Sequence, residues 1–261
     1  MSRSAAPSGA KLALGVGLLT AGLVALLVAE ALLAARGKRE PFVNPSRVPR
    51  ELGSGASELT YAVVGDSTAA GQGARYERGI AVATARHLAA SGRRVSLVNA
   101  SVSGAKAGEV AAEQLPLAVR LRPHVALVAV GANDVIRLSG RGQVREAIET
   151  IVDGLVASRC DVKIVLTGAP EMGAIPRFAQ PLRWVAGRRT QQLNGVFEQL
   201  VRERGLTLAP IAAETGALFR RDRTLFASDR FHPNERGYAT WVPLLTRALD
   251  RALAAQPSHC P

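Results

Sequence analysis

Short apolar runs alternate with longer amphipathic segments along most of this chain, and this alternation restricts the fold more than any other feature. The apolar runs cover residues 59–64, 95–99, 125–130 and 163–167, with a weaker one at 207–209. Several are rich in Val and Ile at consecutive positions, which is typical of strands buried on both faces of a parallel sheet. We therefore expect a sheet of about five parallel strands.

The segments between these runs have helical periodicity. They cover residues 79–90, 108–120, 143–158, 187–204 and 234–254. In one of them, Val144, Ile148, Ile151 and Leu155 recur at the spacing of a single helix face. The pattern predicts one three-layer α/β/α domain over residues 58–255, followed by a short tail at 256–261. In a doubly wound sheet the ligand lies beyond the carboxyl ends of the strands, where the strand order reverses.

A long apolar segment precedes this domain. Residues 12–29 have Thr20 as their only polar side chain, and after Glu30 the apolar run continues to residue 35. A membrane span needs about 20 apolar residues, whereas a signal-peptide core needs about 7 to 15. We predict a transmembrane signal anchor at 12–35 after a basic tail at 1–11. A cleaved signal peptide remains open, because Ala29, Glu30 and Ala31 form a small-x-small pattern.

The basic charge is spread along the chain rather than concentrated in one motif. The net charge is +12, and residues 1–50 hold seven Lys or Arg against two Glu, while the rest of the chain holds 26 basic and 19 acidic residues. Six Phe and three Tyr are few for stacking bases, so we expect no nucleic-acid partner. Cys160 and Cys260 are not in a CxxC pair, which excludes a zinc ribbon; one disulfide and two unrelated thiols both remain open.

A candidate catalytic group follows the first strand and another precedes the last helix. Ser67 comes directly after the first apolar run, and a serine needs a base and an orienting group to act as a nucleophile. Of the four histidines, His232 stands out because Asp229 precedes it by three residues in a loop before the last helix. The other three are in a predicted helix (His87), at the start of a strand (His124) and in the tail (His259).

Candidate oxyanion donors follow the second and third strands. Gly104 allows a backbone N–H to approach a substrate closely, and Asn133 carries an amide donor. Both are expected at the same edge of the sheet as Ser67. Asp66 and Asp134 are interpreted as turn-fixing side chains, because aspartates often bond their own local backbone.

Together these blocks resemble the SGNH hydrolases, also called GDSL-like lipases and esterases. The matching blocks are Gly65-Asp66-Ser67, Gly104, Gly131-x-Asn133-Asp134 and Asp229-x-x-His232. The resemblance implies a flavodoxin-like fold, with Ser67 as nucleophile, His232 as general base and acid, and Asp229 as its orienting group. It also implies an oxyanion hole formed by the N–H groups of Ser67 and Gly104 and the Asn133 side chain, with no metal or cofactor. Thr68 departs from the family pattern, which often has Leu at this position.

The resemblance implies hydrolysis of a carboxylic ester. Two other functions remain open: an acyltransferase that passes the acyl group to a sugar or lipid hydroxyl, and a catalytically silent binding module tethered to a membrane. The apolar segment makes a lipid or cell-envelope ester a candidate substrate. Residues 171–189 are expected either to cover the acyl site or to form a surface excursion in which Trp184 packs on the core.

Orientation in the membrane is predicted differently by two arguments. Arg3 and Lys11 precede the apolar segment and five basic residues follow it, so the positive-inside rule predicts a cytoplasmic domain. A basic tail, an apolar segment and a following hydrolase-like domain instead favour export, and we favour a domain on the extracytoplasmic face. Residues 36–57 contain Pro, Gly and Ser without apolar periodicity and are expected to be a flexible linker.

Overall fold

The computed structural model describes residues 9–256 and contains one six-stranded sheet. Its strand order is β1-β3-β2-β4-β5-β6, and every neighbouring pair is parallel except β1 with β3. The strands are β1 Arg50–Leu52, β2 Ser57–Gly65, β3 Arg93–Asn99, β4 Val125–Ala129, β5 Lys163–Leu166 and β6 Thr207–Leu208. The expected α/β fold with about five parallel strands is confirmed, with an additional antiparallel strand at one edge.

Helices cover both faces of the sheet. Their bounds are α1 Gly9–Ala35, α2 Ser67–Ala70, α3 Ile80–Ala90, α4 Ala107–Glu109, α5 Leu115–Arg120, α6 Ala132–Ile136, α7 Arg141–Ser158, α8 Leu182–Arg204, α9 Ile211–Arg221 and α10 Glu235–Ala254. A π-helical turn, Val110–Gln114, joins α4 to α5. Helices α3 and α10 pack together on one face, and α5, α7 and α8 pack on the other. The core lies between these layers and the apolar strands.

The order of the central strands creates the crevice in which a site is expected. Strand β2 lies between β3 and β4, so the chain leaves β2 toward one side and later returns to its other side. This reversal separates the loops that follow β2 and β4 and opens a space beyond their carboxyl ends. Residue 67, the first of α2, follows β2 at this point.

Two elements differ from the sequence-based expectation. Residues 36–57 are not wholly a flexible linker, because Arg50–Leu52 form β1 and pair with Leu97, Ser96 and Val95 of β3. Three residues with a single apolar side chain are too short to show a two-residue period. Helix α9 is not predicted by the sequence, because Gly216 within it weakens the helical pattern. The glycine leaves space for Glu171: a Cβ on residue 216 would lie 2.9 Å from the Cβ of Glu171.

The amino-terminal apolar segment forms a helix. Within α1, the stretch Ala13–Ala35 is long and apolar enough to cross a membrane, and nearly all of it is exposed. Such a helix is consistent with a signal sequence or an anchor. Cys260 lies outside the described residues, so the structure does not test whether it pairs with Cys160.

Candidate active site

Ser67 lies at a sharp turn between β2 and α2. Gly65 ends β2 with φ = +153°, and a Cβ at this position would lie 2.0 Å from the carbonyl oxygen of Ala129. Only glycine fits this close approach of β2 to β4. The chain therefore turns abruptly after the strand, and Ser67, which is 5% exposed, is the first residue of the short helix that follows.

Asp66 stabilises that turn from within the protein. Its Oδ1 accepts hydrogen bonds from the Thr68 N–H at 2.9 Å and from the Thr68 hydroxyl at 2.7 Å, as an N-cap does. Burial raises the pKa of Asp66 to about 6, although the two bonds from Thr68 oppose the rise. These contacts are those of the turn-fixing side chain that the sequence predicts. Thr68 thus has a partner of its own at the position where the SGNH pattern often has Leu.

His232 lies between Ser67 and Asp229. Its Nε2 is 3.0 Å from Ser67 Oγ, and its Nδ1 is 2.6 Å from Asp229 Oδ2. The other oxygen of Asp229 accepts from the backbone N–H groups of Phe231 and His232 at 2.9 and 3.0 Å. The three side chains that the sequence singles out are therefore in contact, although Ser67 and His232 are 165 positions apart.

The environment of Asp229 keeps it ionised. Burial alone would raise its pKa, but the hydrogen bond from the His232 side chain and those from the two backbone N–H groups outweigh this effect and lower the pKa to about 2. An ionised carboxylate can only accept, so Nδ1 of His232 must carry the proton in that contact. In the neutral ring Nε2 is then an acceptor, directed at the Ser67 hydroxyl.

Gly104 and Asn133 lie on neighbouring loops at the same edge of the sheet. Gly104 follows β3 with φ = +90°. The atom nearest to a Cβ placed there would be Arg137 Nη2 at 3.7 Å, so the space beside the Gly104 Cα is open. Asn133 is in α6, after β4, and its Nδ2 donates to the carbonyl oxygen of Ala105 at 3.1 Å. Both residues line the same cavity as Ser67 and His232.

Asp134 ties these two loops together. Its Oδ2 accepts from the N–H of Ala107 at 3.0 Å, next to the Asn133 contact with Ala105. The loop after β4 is therefore joined to the loop after β3 by two side chains in succession. These contacts agree with the structural, turn-fixing role that the sequence indicates for Asp134.

Two supporting residues were not identified from the sequence. Gln114 is buried and exchanges both hydrogen bonds of its amide with the Gly65 backbone, at 2.8 and 2.9 Å. Asn99 donates to the carbonyl oxygen of Ala69 at 2.9 Å and so holds the end of α2. Asn99 is a polar residue at the end of a largely buried strand, and this position is a weak sequence signal for a supporting role. No local pattern marks Gln114, whose partner is 49 positions away.

The candidate catalytic residues line one large, mainly apolar cleft. Its volume of about 600 Å³ is within the usual range for small-molecule sites. Its walls include Phe178, Leu182 and Val185. The segment 171–189 thus covers the site, and Trp184, 59% exposed, does not pack on the core.

A smaller apolar recess also borders Ser67, among aromatic side chains that include Phe219 and Trp241. Its volume of about 30 Å³ has room for about two water molecules, each needing about 10 to 15 Å³. The large cleft therefore provides most of the space beside Ser67. Within residues 9–256, no group of three or more His, Cys, Asp or Glu side chains is placed to hold a metal ion.

Comparison with known proteins gives consistent results. The profile of the GDSL-like lipase/acylhydrolase family matches residues 63–240. A GDSL-like esterase of Mycobacterium tuberculosis is 32% identical over 196 residues, which are 73% of this chain and 62% of that protein. This chain therefore spans less than two thirds of the length of that curated relative.

Solved structures share the fold. TesA superposes with a TM-score of 0.62 at 22% identity, over 74% of this chain and 99% of its own. A lipase/acylhydrolase from Enterococcus faecalis gives 0.60 at 19% identity, over 77% and 100%. The esterase EstA from Pseudoalteromonas, in a structure inhibited by monoethylphosphonate, gives 0.59 at 19% identity, over 76% and 100%.

Proposed function

Because this chain belongs to the GDSL-like lipase/acylhydrolase family, we propose that it hydrolyses a carboxylic ester through an acyl-enzyme on Ser67. The observation that carries the proposal is the continuous contact from the Ser67 hydroxyl through both nitrogens of His232 to the carboxylate of Asp229. A serine hydroxyl becomes an effective nucleophile when a neighbouring base takes its proton as it attacks. The contact supports that arrangement.

In the first half of the reaction, Ser67 Oγ attacks the ester carbonyl carbon and its proton passes to Nε2 of His232. The imidazole becomes positively charged, and Asp229 stabilises that charge through Nδ1 while keeping the ring in position. The carbonyl oxygen becomes an oxyanion. Collapse of this tetrahedral intermediate breaks the bond to the alcohol, which leaves with the proton from Nε2, and the acyl group remains on Ser67.

The oxyanion would be stabilised by three donors. These are the backbone N–H groups of Ser67 and Gly104 and the side-chain amide of Asn133. The Asn133 amide nitrogen carries two hydrogens, so the bond to Ala105 leaves one hydrogen for the substrate. Donors held in place before the charge develops need little reorganisation when the reaction occurs.

In the second half, water replaces the alcohol. Neutral His232 takes a proton from the water as its oxygen attacks the acyl carbon, and a second tetrahedral intermediate forms. Collapse releases the carboxylic acid and returns the proton to Ser67 Oγ. Every proton step thus uses His232, and no step requires a group beyond the residues described.

The test uses the full-length protein, a fluorophosphonate probe and p-nitrophenyl acetate. The phosphonate inhibition of the EstA relative supports the choice of probe. We expect the wild type to be labelled and active, and Ser67→Ala to lose labelling and to lose kcat by roughly 10⁴-fold or more. Ser158→Ala is the control, because its hydroxyl only bonds the carbonyl of Leu155 at the end of α7.

Each outcome separates the functions that the sequence leaves open. If Ser67→Ala is labelled and active like the wild type, the mechanism is wrong. A folded wild type that neither reacts with the probe nor releases p-nitrophenol would indicate a silent binding module. Acyl transfer to an added alcohol in preference to water, measured by product analysis, would indicate an acyltransferase.

A further inference from the structure

The apolar helix α1 does not project freely from the domain. Its side chains are exposed from residue 13 to residue 26, but Leu27, Glu30 and Ala34 are half-buried. Their spacing of three and four residues places them on one face of the helix, and α1 packs against α8. The last third of α1 therefore rests on the domain along a defined face.

Glu30 makes a specific contact across this interface. Its Oε2 accepts a hydrogen bond of 2.9 Å from the backbone N–H of Leu182, the first residue of α8. Glu30 is the only charged residue in Ala13–Ala35. A carboxylate in a membrane-spanning segment is unfavourable without a partner, and a helix amino terminus is a favourable partner because its N–H groups are unpaired and its dipole is positive there.

The same end of α1 forms part of the catalytic cleft. Ala31, Ala34 and Ala35 line the cavity of about 600 Å³ that contains Ser67 and His232. The small alanine side chains leave the cleft open on this side.

The chain that follows α1 continues this wall. The carbonyl oxygen of Glu40 accepts from Gln72 Nε2 at 3.0 Å, and Val43 exchanges two hydrogen bonds with Ser103 Oγ. Residues 40–43 are thus bonded to the loops after β2 and β3. Cleavage after Ala31 would remove Glu30 from α8 and Ala31 from the wall of the cleft.

The dimensions of α1 place the cleft mouth close to a membrane surface. Twenty-three helical residues extend roughly 34 Å, slightly more than a hydrocarbon core of about 30 Å. Contact with the domain begins at Leu27, roughly 21 Å along the span from Ala13. If α1 crosses a bilayer from Ala13, this contact begins about 9 Å inside the far edge of the hydrocarbon core, a depth typical of interfacial elements, so α8 and the adjoining mouth lie at the membrane interface.

The side chains at the mouth suit that position. Phe42, Ile136 and Leu138 line the cleft and are exposed, at 70%, 42% and 66%. Lys38 and Arg39, exposed directly after α1, carry the charge that attracts anionic headgroups. Apolar side chains beside a cleft, with basic residues around them, are the arrangement expected of a surface that contacts anionic lipid.

We propose that α1 is retained as a membrane anchor that forms one wall of the catalytic cleft, and that the ester cleaved there is a membrane lipid. The lipid's acyl chain passes from the bilayer along Ala31 and Ala35 into the cleft. This proposal rests on the proposed function of Ser67. It holds for either orientation of the domain, because it depends only on the distance between the cleft and the membrane surface.

The test uses the full-length protein in vesicles of phosphatidylcholine and phosphatidylglycerol, with two substrates that share a leaving group. p-Nitrophenyl palmitate is incorporated in the bilayer and p-nitrophenyl acetate is in solution. Ala31→Trp narrows the cleft from the side of the anchor, and since Ala31 is exposed the substitution does not disturb packing. Ala25→Trp is the matched control, because Ala25 is exposed on the same helix but does not line the cleft.

For Ala31→Trp we expect the ratio of palmitate to acetate hydrolysis to fall at least about tenfold, because the longer acyl chain needs the part of the cleft that the indole fills. Ala25→Trp should change neither activity. Acetate activity also reports correct folding; if Ala31→Trp loses it, Ala35→Trp, at another exposed position lining the cleft, decides in the same assay.

An unchanged ratio of palmitate to acetate hydrolysis would overturn the proposal, as would a mature protein that begins at Leu32. Neither result would affect the proposed function, which is tested separately by Ser67→Ala with the acetate substrate. Loss of both activities in Ser67→Ala together with an unchanged ratio in Ala31→Trp would therefore leave an esterase whose substrate does not come from the membrane.

Discussion

Replacement of Asp229 by Asn changes the proton positions in the site while preserving its shape. The backbone N–H groups of Phe231 and His232 require an acceptor, so the amide oxygen of the new side chain should take the place of Oδ1. Its NH₂ group then faces Nδ1 of His232. Because NH₂ can only donate there, Nδ1 loses its proton and Nε2 carries one. Nε2 can then no longer accept the proton of Ser67, and we expect kcat to fall by roughly 10³ to 10⁴-fold with little change in KM.

The same substitution should remove a pH-dependent contribution to stability. The pKa of Asp229 is lowered from 3.8 to about 2 in the folded protein. This difference corresponds to about 2 kcal/mol of unfolding free energy. Because the folded pKa is the lower one, the stabilisation is complete above about pH 4 and is lost as the pH falls through about 2. The variant should therefore be less stable by about 2 kcal/mol at pH 7 and nearly equal to the wild type near pH 2.

A second Asp–His pair in the chain provides a matched control. Asp250 Oδ1 lies 2.8 Å from Nε2 of His87 on the exposed surface, away from the cleft. Asp250→Asn should leave kcat unchanged and alter stability by less than about 1 kcal/mol. The assays are p-nitrophenyl acetate hydrolysis at pH 8 and urea unfolding in detergent from pH 2 to pH 7.

Two results would refute this reasoning. A kcat for Asp229→Asn within about tenfold of the wild type would show that the protonation state of His232 does not depend on the carboxylate. A stability difference of equal size at pH 7 and pH 2 would show that the loss comes from altered packing rather than from ionisation of Asp229.

Asn133→Ala should lower kcat by roughly 10² to 10³-fold, because it removes one proposed oxyanion donor. Its Tm should be nearly unchanged, because only one hydrogen bond, to Ala105, is lost. A fall in kcat of less than about threefold would exclude Asn133 from that role. Gly65→Ala should destabilise the protein by at least about 3 kcal/mol, since the new Cβ would lie 2.0 Å from the carbonyl oxygen of Ala129 at a positive φ. Gly108→Ala is its control, because no atom lies within 4 Å of a Cβ there. In thermal unfolding this control should be at least as stable as the wild type. Equal Tm values for Gly65→Ala and Gly108→Ala would contradict the argument.

The central sheet could be predicted from the sequence because its strands are buried on both faces. Strand β4, for example, consists of Val and Ala with one Leu, and all five residues are buried. Such a run fits few other environments in a chain of this size. The periodicity predicts the carboxyl end of α8 at Arg204, as the structure has it, but the helix begins at Leu182 rather than near residue 187. Pro181 immediately before it made these residues resemble a loop.

The arrangement of the site could be predicted only in part. Asp229 and His232 are three positions apart, and their contact follows from local geometry. Their contact with Ser67 depends on the strand order of the sheet, which local patterns do not specify. Resemblance to a family supplied that link. Gln114 escaped notice because its bonds to Gly65 join a π-helical turn to a strand end that is distant in sequence.

The position of α1 was beyond sequence reasoning. An apolar segment predicts an affinity for lipid but does not show which of its faces contacts the domain. The contact of Glu30 with Leu182 joins residues 152 positions apart. The segment after α1 was expected to be flexible because it lacks apolar periodicity. It is held instead by bonds between backbone and side chains, such as those of Val43 with Ser103, which leave no periodic pattern.

Strand β1 bears on how the protein avoids self-association. Without it, the outer edge of β3 would present unpaired N–H and C=O groups, and such an edge can recruit a strand from another molecule. Residues 50–52 cover part of this edge in the antiparallel direction, and Pro49 immediately before them cannot donate a hydrogen bond to extend the pairing. A chain shortened to begin at the predicted domain start, residue 58, would lose this protection. We expect it to aggregate during refolding even though its cleft residues are all present.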